Sequence, residues 1–213
     1  MLNKRFVNKA KILLKYNSSM MMFAVIIPYF IVFTICILAF KKYGMQPQTE
    51  ELIIRYTQIF IPVNIILLLL PLMNNYVGTN KNEVLYLHHR IIITDVILCV
   101  AIYLVILVPE YLLFQFVMNI SFTEFIRISI EIVFFSSLTY FLCFIFNSIT
   151  VGYLIIFVYY FFSITVMANK WFVFFNVLSF SKKLFFEKYI YLLILSAVFF
   201  VTAFFKNKYI NRS

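Results

Sequence analysis

Charged residues are scarce in this chain, and their scarcity excludes an ordinary soluble fold. Only 12% of the 213 residues are Asp, Glu, Lys or Arg, whereas 64% are hydrophobic. The mean hydropathy is +0.99. Soluble domains average about 25% charged residues, and a soluble fold cannot hide this much apolar surface. We therefore expect one polytopic membrane domain.

Glycine is also rare, and its rarity excludes a nucleotide-binding loop. The chain has three glycines, Gly44, Gly78 and Gly152, and no G-x-x-x-x-G-K-[ST] sequence. A phosphate-binding loop of that kind needs closely spaced glycines whose backbone N–H groups contact the phosphates. ATP binding by this chain itself is therefore not expected.

Cysteine and histidine give no clear metal or redox site. The chain has three cysteines, Cys36, Cys99 and Cys143, each inside an apolar run and none in a C-x-x-C sequence. Isolated cysteines of this kind are typical of small apolar packing residues. His88 and His89 are adjacent, and only Glu83 offers a further ligand nearby. A metal site there is the weaker alternative to polar residues at a membrane boundary.

Long apolar runs occupy most of the chain and predict six transmembrane helices in an all-α fold. A helix needs about 20 apolar residues to cross the hydrocarbon core. The predicted spans are residues 20–40, 56–76, 91–108, a run from the capping box at 121–124 to residue 146, 149–167 and 189–205. A polar outer loop is expected at 41–55, and Asn147 and Ser148 form a short turn.

The segments outside the spans carry their own patterns. Residues 1–19 contain an amphipathic stretch with one apolar and one basic face, which predicts a cytoplasmic helix lying in the membrane interface. A disordered basic tail is the alternative. The aromatic segment at 168–188 is too short to cross and is expected to dip into the outer interface. Residues 206–213 form a basic tail.

The net charge of +10 is concentrated near the two ends of the chain. Basic residues flanking membrane helices follow the positive-inside bias, so both termini are expected on the cytoplasmic side. The expected membrane is a bacterial plasma membrane. Nucleic-acid binding is not expected, because no basic face with interleaved aromatic residues stands apart from the apolar runs.

A polar segment, N-K-N-E-V-L-Y-L-H-H-R at 80–90, separates the second and third spans on the cytoplasmic side. It carries a glutamate, apolar residues and an arginine over about two helical turns. A short helix that presents these side chains to a partner and an ordinary polar loop are both compatible with this spacing.

The whole arrangement resembles the permease subunit of ABC-2-type ABC exporters. An interfacial N-terminal helix, six spans, a Glu-containing segment between spans two and three, and short membrane-dipping segments before span six carry the resemblance. In that family the segment between spans two and three is the coupling helix, which docks on the ATPase subunit. The resemblance places a coupling helix at about 79–90 and assigns ATPase coupling to Glu83, Val84, Leu85, Leu87 and Arg90. Asp95 departs from the family, in which a lysine is common early in the third span.

The resemblance also implies the partners. ATP and Mg²⁺ would be bound by a separate cytoplasmic ABC ATPase, so this chain would be a transport subunit without cofactor or catalytic residues. A second permease copy, identical or not, would complete the pore. The many rings, 15 Tyr and 28 Phe, favour a hydrophobic or amphipathic cargo such as a peptide or lipophilic drug. The alternative is a membrane immunity or assembly protein that transports nothing.

Polar residues inside the spans have two interpretations each. Asp95 is expected to pair with Arg90 or with the partner subunit. Asn64, Ser136 and Ser163 either line a translocation path or, together with Ser137, Thr139 and Thr165, form hydrogen bonds between helices. Arg127 and Glu131 are four residues apart on one helix face and are expected to pair.

One motif points to an enzyme but lacks its companions. The sequence E-E-L-I-I-R at 50–55 matches the E-E-x-x-x-R pattern of glutamate-dependent intramembrane proteases. That chemistry also needs histidines on other membrane helices. His88 and His89 point about 100° apart on one helix and cannot supply two helices. A charged outer loop is the better explanation.

Overall fold

The computed structural model describes Met22 and residues 25–44, 46–77, 92–165 and 185–210, and this part of the chain contains helices and no strand. We number the helices in chain order. Helix α1 is π-helical over Ile27–Val32 and α-helical over Phe33–Tyr43; α2 is Pro47–Tyr76, α3 is Ile92–Met118, α4 is Thr123–Phe146, and α5 is Ile149–Thr165. Helix α6 begins with the π-helical turn Phe185–Tyr189 and continues over Ile190–Ile210.

Four of these helices are long and apolar enough to cross a membrane: α2 over Pro47–Asn74, α3 over Ile93–Met118, α4 over its full length, and α6 over Phe185–Asn207. Helix α5 is apolar but shorter. The prediction of an all-α membrane protein is confirmed at this level.

Hydrogen bonds fix the relative directions of α2 and α3. The Tyr76 hydroxyl, at the end of α2, donates to Asp95 Oδ2 in the first turn of α3 at 2.7 Å. Farther along, the Tyr103 hydroxyl donates to the Ile61 carbonyl at 2.9 Å. The two helices are therefore antiparallel, and residues 78–91 connect them at what we call the Asp95 end of the bundle.

The remaining helices continue this alternation. The Tyr153 hydroxyl of α5 donates to the Ile66 carbonyl of α2 at 2.9 Å, and the Tyr160 hydroxyl donates to the Ile59 carbonyl, so α5 is antiparallel to α2. Lys206 Nζ, near the end of α6, donates to a carbonyl at the end of α4. The C-termini of α4 and α6 thus lie at the Asp95 end, and we call the opposite end the Glu110 end.

Helix α4 is the centre of the bundle. It packs against α2, α3, α5 and α6. Within the bundle, 78% of the apolar stretch of α4 is buried, compared with 17% for α6. Helix α6 therefore leaves most of its apolar surface facing outward, as a helix in contact with lipid would.

The predicted loop at 41–55 is wrong. Only residues 44–46 separate α1 from α2, because Gln46 is extended and Pro47 begins the next helix at a position where proline needs no N–H partner. The E-E-L-I-I-R sequence is therefore helical, and Ile53 and Ile54 are buried in its first turns. Burial of these two side chains extends α2 nine residues earlier than predicted.

The predicted end of the third span at residue 108 is also wrong. Helix α3 continues through Pro109 and Glu110 to Met118. A proline inside a membrane helix is tolerated when neighbouring groups satisfy the freed backbone carbonyls. Pro109 leaves the Val105 carbonyl without its intrahelical donor, and the Tyr29 hydroxyl of α1 donates to the adjacent Ile106 carbonyl in the turn that the proline ring displaces.

The fourth helix begins and ends almost as predicted, but not through a capping box. The residue before it, Phe122, carries no side-chain capping bond, and Ser121 Oγ accepts from the Thr123 N–H at 3.3 Å. Glu124 is buried in the bundle and its carboxylate pairs with Arg127. The turn at Asn147 and Ser148 is confirmed, with Asn147 in the left-handed conformation.

Several predicted segments lie wholly or partly outside the described residues. The interfacial helix at 1–19, the coupling helix at 79–90 and residues 168–184 of the membrane-dipping segment belong to this group. Residues 185–188 form the first turn of α6, so the sixth helix begins before its predicted start at 189. Residues 206–210 of the predicted basic tail continue α6 as helix.

Candidate functional site

The predicted ATPase-coupling residues are outside the described part of the chain: Glu83, Val84, Leu85, Leu87 and Arg90. The structure does describe the two helix ends that flank them. Tyr76 and Asp95 are both buried, 5% and 2% exposed, and their hydrogen bond joins these ends. The pairing of Asp95 with Arg90 stays a prediction, and Tyr76 is a partner that the sequence did not suggest.

The predicted path residues are buried in three different helices, Asn64 in α2, Ser136 in α4 and Ser163 in α5. The two serines donate their hydroxyl protons within their own helices, to the Val133 and Tyr159 carbonyls at 2.8 Å each. Ser137 and Thr139 do the same. These hydroxyls satisfy local carbonyls instead of joining helices, and a path along them stays a prediction.

A buried charge cluster on α4 is the most polar feature of the described bundle. The Arg127 side chain is fully buried and pairs with Glu124. Arg127 Nε lies 3.2 Å from Glu124 Oε2, and Arg127 Nη2 donates to Glu124 Oε1 at 3.4 Å. Glu131 lies one turn further on and is under the electrostatic influence of Arg127. Spacings of three and four residues place all three side chains on one face of the helix.

The start of α6 completes this cluster. The Tyr189 hydroxyl donates to Glu131 Oε1 at 3.2 Å, and the Arg127 guanidinium lies 5.9 Å from the centre of the Tyr189 ring. That distance is within the range of a cation–π interaction. An ion pair joins Arg127 to Glu124, and the predicted pairing of Arg127 with Glu131 stays a prediction.

Helix α3 adds a third buried carboxyl group at the same end of the bundle. Glu110 is fully buried, and neither carboxylate oxygen has a hydrogen-bond partner among the described residues. Tyr111 is next to it, and its hydroxyl is buried near Thr57 of α2. Tyr111 lies within electrostatic range of Glu110, Glu124 and Glu131. It is therefore near the carboxyl groups of both α3 and α4.

Glu110 lies at hydrocarbon depth if α3 crosses the membrane. It is five residues past the midpoint of Ile92–Met118, about 8 Å along the helix axis at 1.5 Å per residue. Half of the hydrocarbon core is about 15 Å. Intramembrane acidic residues are uncommon and commonly mark sites of ligand or ion passage.

Sequence reasoning treated Glu110 only as the end of a span. The overlooked signal was a single acidic residue within an apolar stretch that resumes after it, Y-L-L-F-Q-F-V-M. Glu124 was likewise read as a capping residue, although a buried arginine three residues later offers a stronger partner.

The cluster does not form a metal centre. Within the ranges that the structure describes, no three His, Cys, Asp or Glu side chains are close enough together to hold a metal ion. Comparisons with protein-family models, with curated proteins and with solved structures found no match to this chain.

Proposed function

We propose that this chain is the membrane permease subunit of an ATP-driven ABC-2-type exporter in a bacterial plasma membrane. All six described helices would cross the bilayer, with both termini and the Asp95 end in the cytoplasm. ATP and Mg²⁺ would bind to a separate ABC ATPase, and a second permease copy would complete the transport path. The cargo would be hydrophobic or amphipathic.

The alternating directions of the helices support the six-span part of the proposal. From α2 to α6, each helix runs in the direction opposite to the helix before it. The hydrogen bonds between α2 and α3, α2 and α5, and α4 and α6 support these directions. An even number of crossings returns the chain to the side on which it began. The basic residues at both ends of the sequence then fall on one side, as the positive-inside bias requires.

The hydrogen bond between Tyr76 and Asp95 is the observation that carries the coupling part. It joins the end of α2 to the first turn of α3, the two helix ends that residues 78–91 connect along the chain. A partner that displaces that segment would therefore move both helices together instead of separating them. Ligand-driven movement of packed helices between two arrangements is an established way to transmit such a displacement.

The experiment is co-purification with an ATPase. The chain should retain a Walker A protein from its native membrane and raise the rate of ATP hydrolysis of that protein. Glu83→Ala should abolish the stimulation and transport while the permease remains inserted, and Glu51→Ala, an exposed glutamate at the opposite end, should leave both unchanged.

Two results would count against the proposal. Unchanged transport in Glu83→Ala would remove the coupling role of that residue. Absence of any associated ATPase, with no stimulation, would favour a membrane immunity or assembly protein.

A further inference from the structure

The Glu110 carboxyl group is unusual because it is fully buried and, among the described residues, no cation forms an ion pair with it. Both of its oxygens also lack a hydrogen-bond partner in the described ranges. Arg127 is engaged by Glu124 on the neighbouring helix. An ionised carboxylate at hydrocarbon depth is costly unless a positive charge accompanies it.

The groups near Glu110 on α1 and α3 do not neutralise the carboxylate. On α1, Tyr29 and Cys36 are within its electrostatic range, and on α3 Tyr103 and Tyr111 are. None of these side chains carries a positive charge. Glu124 and Glu131 on α4 also lie within electrostatic range of Tyr111, so carboxyl groups are present on the α4 side of this region as well.

Aromatic rings line the same region. The Phe33 and Phe114 rings are 5.5 Å apart between α1 and α3, and the Tyr111 and Phe114 rings meet edge to face at 5.6 Å. Aromatic faces attract cations, and they also provide apolar contact for a hydrophobic body. A carboxylate surrounded by rings is suited to a positive charge carried on an apolar group.

The contact between α1 and α3, which we call the seam, has outward-facing apolar side chains on both helices. Phe30 on α1 is 68% exposed, and Leu113 on α3 is 41% exposed. The π-helical turns of α1 lie at this seam, and π-helical segments inside helices are frequent at functional sites. A ligand dissolved in the bilayer would meet this seam without passing through water.

We propose that Glu110 binds the positively charged group of a lipophilic cation that enters between α1 and α3. This inference rests on the proposed export function, since it defines the cargo as an amphipathic or hydrophobic molecule with one positive charge. Tyr111, Phe33 and Phe114 would contact the apolar body, and the Glu110 carboxylate would pair with the charge.

The test uses the full-length chain in lipid nanodiscs and radiolabelled tetraphenylphosphonium, with binding to empty nanodiscs subtracted. Tetraphenylborate has nearly the same shape and the opposite charge, so it is the matched control ligand. The wild type should bind tetraphenylphosphonium and not tetraphenylborate. Glu110→Gln should weaken that binding at least tenfold, Glu110→Asp should retain it within a few fold, and Glu51→Gln should bind like the wild type.

The thermal stability of each variant shows whether a loss of binding reflects unfolding. Equal binding of tetraphenylphosphonium by the wild type and Glu110→Gln would overturn the proposal. No binding above empty nanodiscs in the wild type would also overturn it, and would indicate a carboxyl group that holds only a proton. The assay contains no ATPase, so its outcome is independent of whether the chain stimulates ATP hydrolysis.

Discussion

Tyrosine hydroxyls satisfy backbone carbonyls next to prolines in this bundle. Tyr160 donates to the Ile59 carbonyl, three residues before Pro62, and Tyr29 donates to the Ile106 carbonyl, three residues before Pro109. Proline supplies no N–H and its ring displaces the preceding turn of the helix. Each unsatisfied carbonyl in a lipid environment costs several kcal/mol, so a hydroxyl from a neighbouring helix stabilises the bend.

Removing the Tyr160 hydroxyl should measure this contribution. We expect Tyr160→Phe to lower the free energy of unfolding by about 0.6–1.7 kcal/mol, the range for hydrogen bonds between membrane helices. In a Pro62→Leu background the loss should be smaller, because leucine restores the N–H that bonds the Gln58 carbonyl, removes the ring that displaces this turn, and so lets the Val63 N–H reach the Ile59 carbonyl. Thermal unfolding in detergent, compared across the double-mutant cycle, is the measurement.

Tyr191→Phe is the matched control, since that ring is 66% exposed and lies on the outer surface of α6. It should leave stability unchanged. An equal loss for Tyr160→Phe in both backgrounds would mean that the hydroxyl does not compensate for the proline.

The sequence could not have identified these partners. It contains 15 tyrosines, and nothing in their local pattern distinguishes Tyr160, which reaches α2, from Tyr191, which faces outward. The choice depends on which helix packs beside the proline, and that is a property of the folded bundle. Glu110 was missed for the same reason, because its burial depends on α1 packing against α3.

At the scale of helices, α4 and α5 approach each other very closely. A Cβ atom added at Gly152 would lie 3.0 Å from both the backbone nitrogen and the Sγ of Cys143. The turn at Asn147 directs α5 back along α4, and glycine permits the close contact one turn later. Small residues at helix contacts are typical of membrane proteins, where packing replaces the hydrophobic effect between helices.

Gly152→Leu should therefore separate α4 from α5. Because the nearest atoms include backbone, the side chain cannot be accommodated by a rotamer change, and we expect a destabilisation of about 1–3 kcal/mol. Val151→Leu is the control, since Val151 is 42% exposed and points about 100° away from Gly152 around α5. Equal melting temperatures for the two variants, measured in the same detergent, would contradict the close contact.

The helices themselves were largely readable from the sequence, whereas their ends were not. The start of α5 and the turn before it follow from Asn147 and Ser148. The start of α2 and the end of α3 were misplaced because polar and proline residues were taken as helix stops. Inside a bundle, burial of Ile53 and a hydroxyl from Tyr29 outweigh those local signals.

For the whole molecule, the distribution of charge distinguishes the two ends of the bundle. Glu110, Glu124, Glu131 and Arg127 are buried at the Glu110 end. At the Asp95 end, Lys206 donates to the Ile145 carbonyl near the C-terminus of α4. A cation at a helix C-terminus is favourable because the helix dipole is negative there. Composition alone predicted a membrane protein, but only the packing shows this asymmetry.

The account depends most on the location of residues 78–91, which must face the compartment that contains the ATPase. Labelling of single cysteines with a membrane-impermeant maleimide tests this directly, since Cys36, Cys99 and Cys143 are buried. Asn80→Cys and, as a control at the opposite end, Gln48→Cys would be compared in intact cells and inverted vesicles. We predict labelling of Gln48→Cys in intact cells and of Asn80→Cys only in inverted vesicles. Labelling of Asn80→Cys in intact cells would place the segment outside, where no cytoplasmic ATPase could contact it.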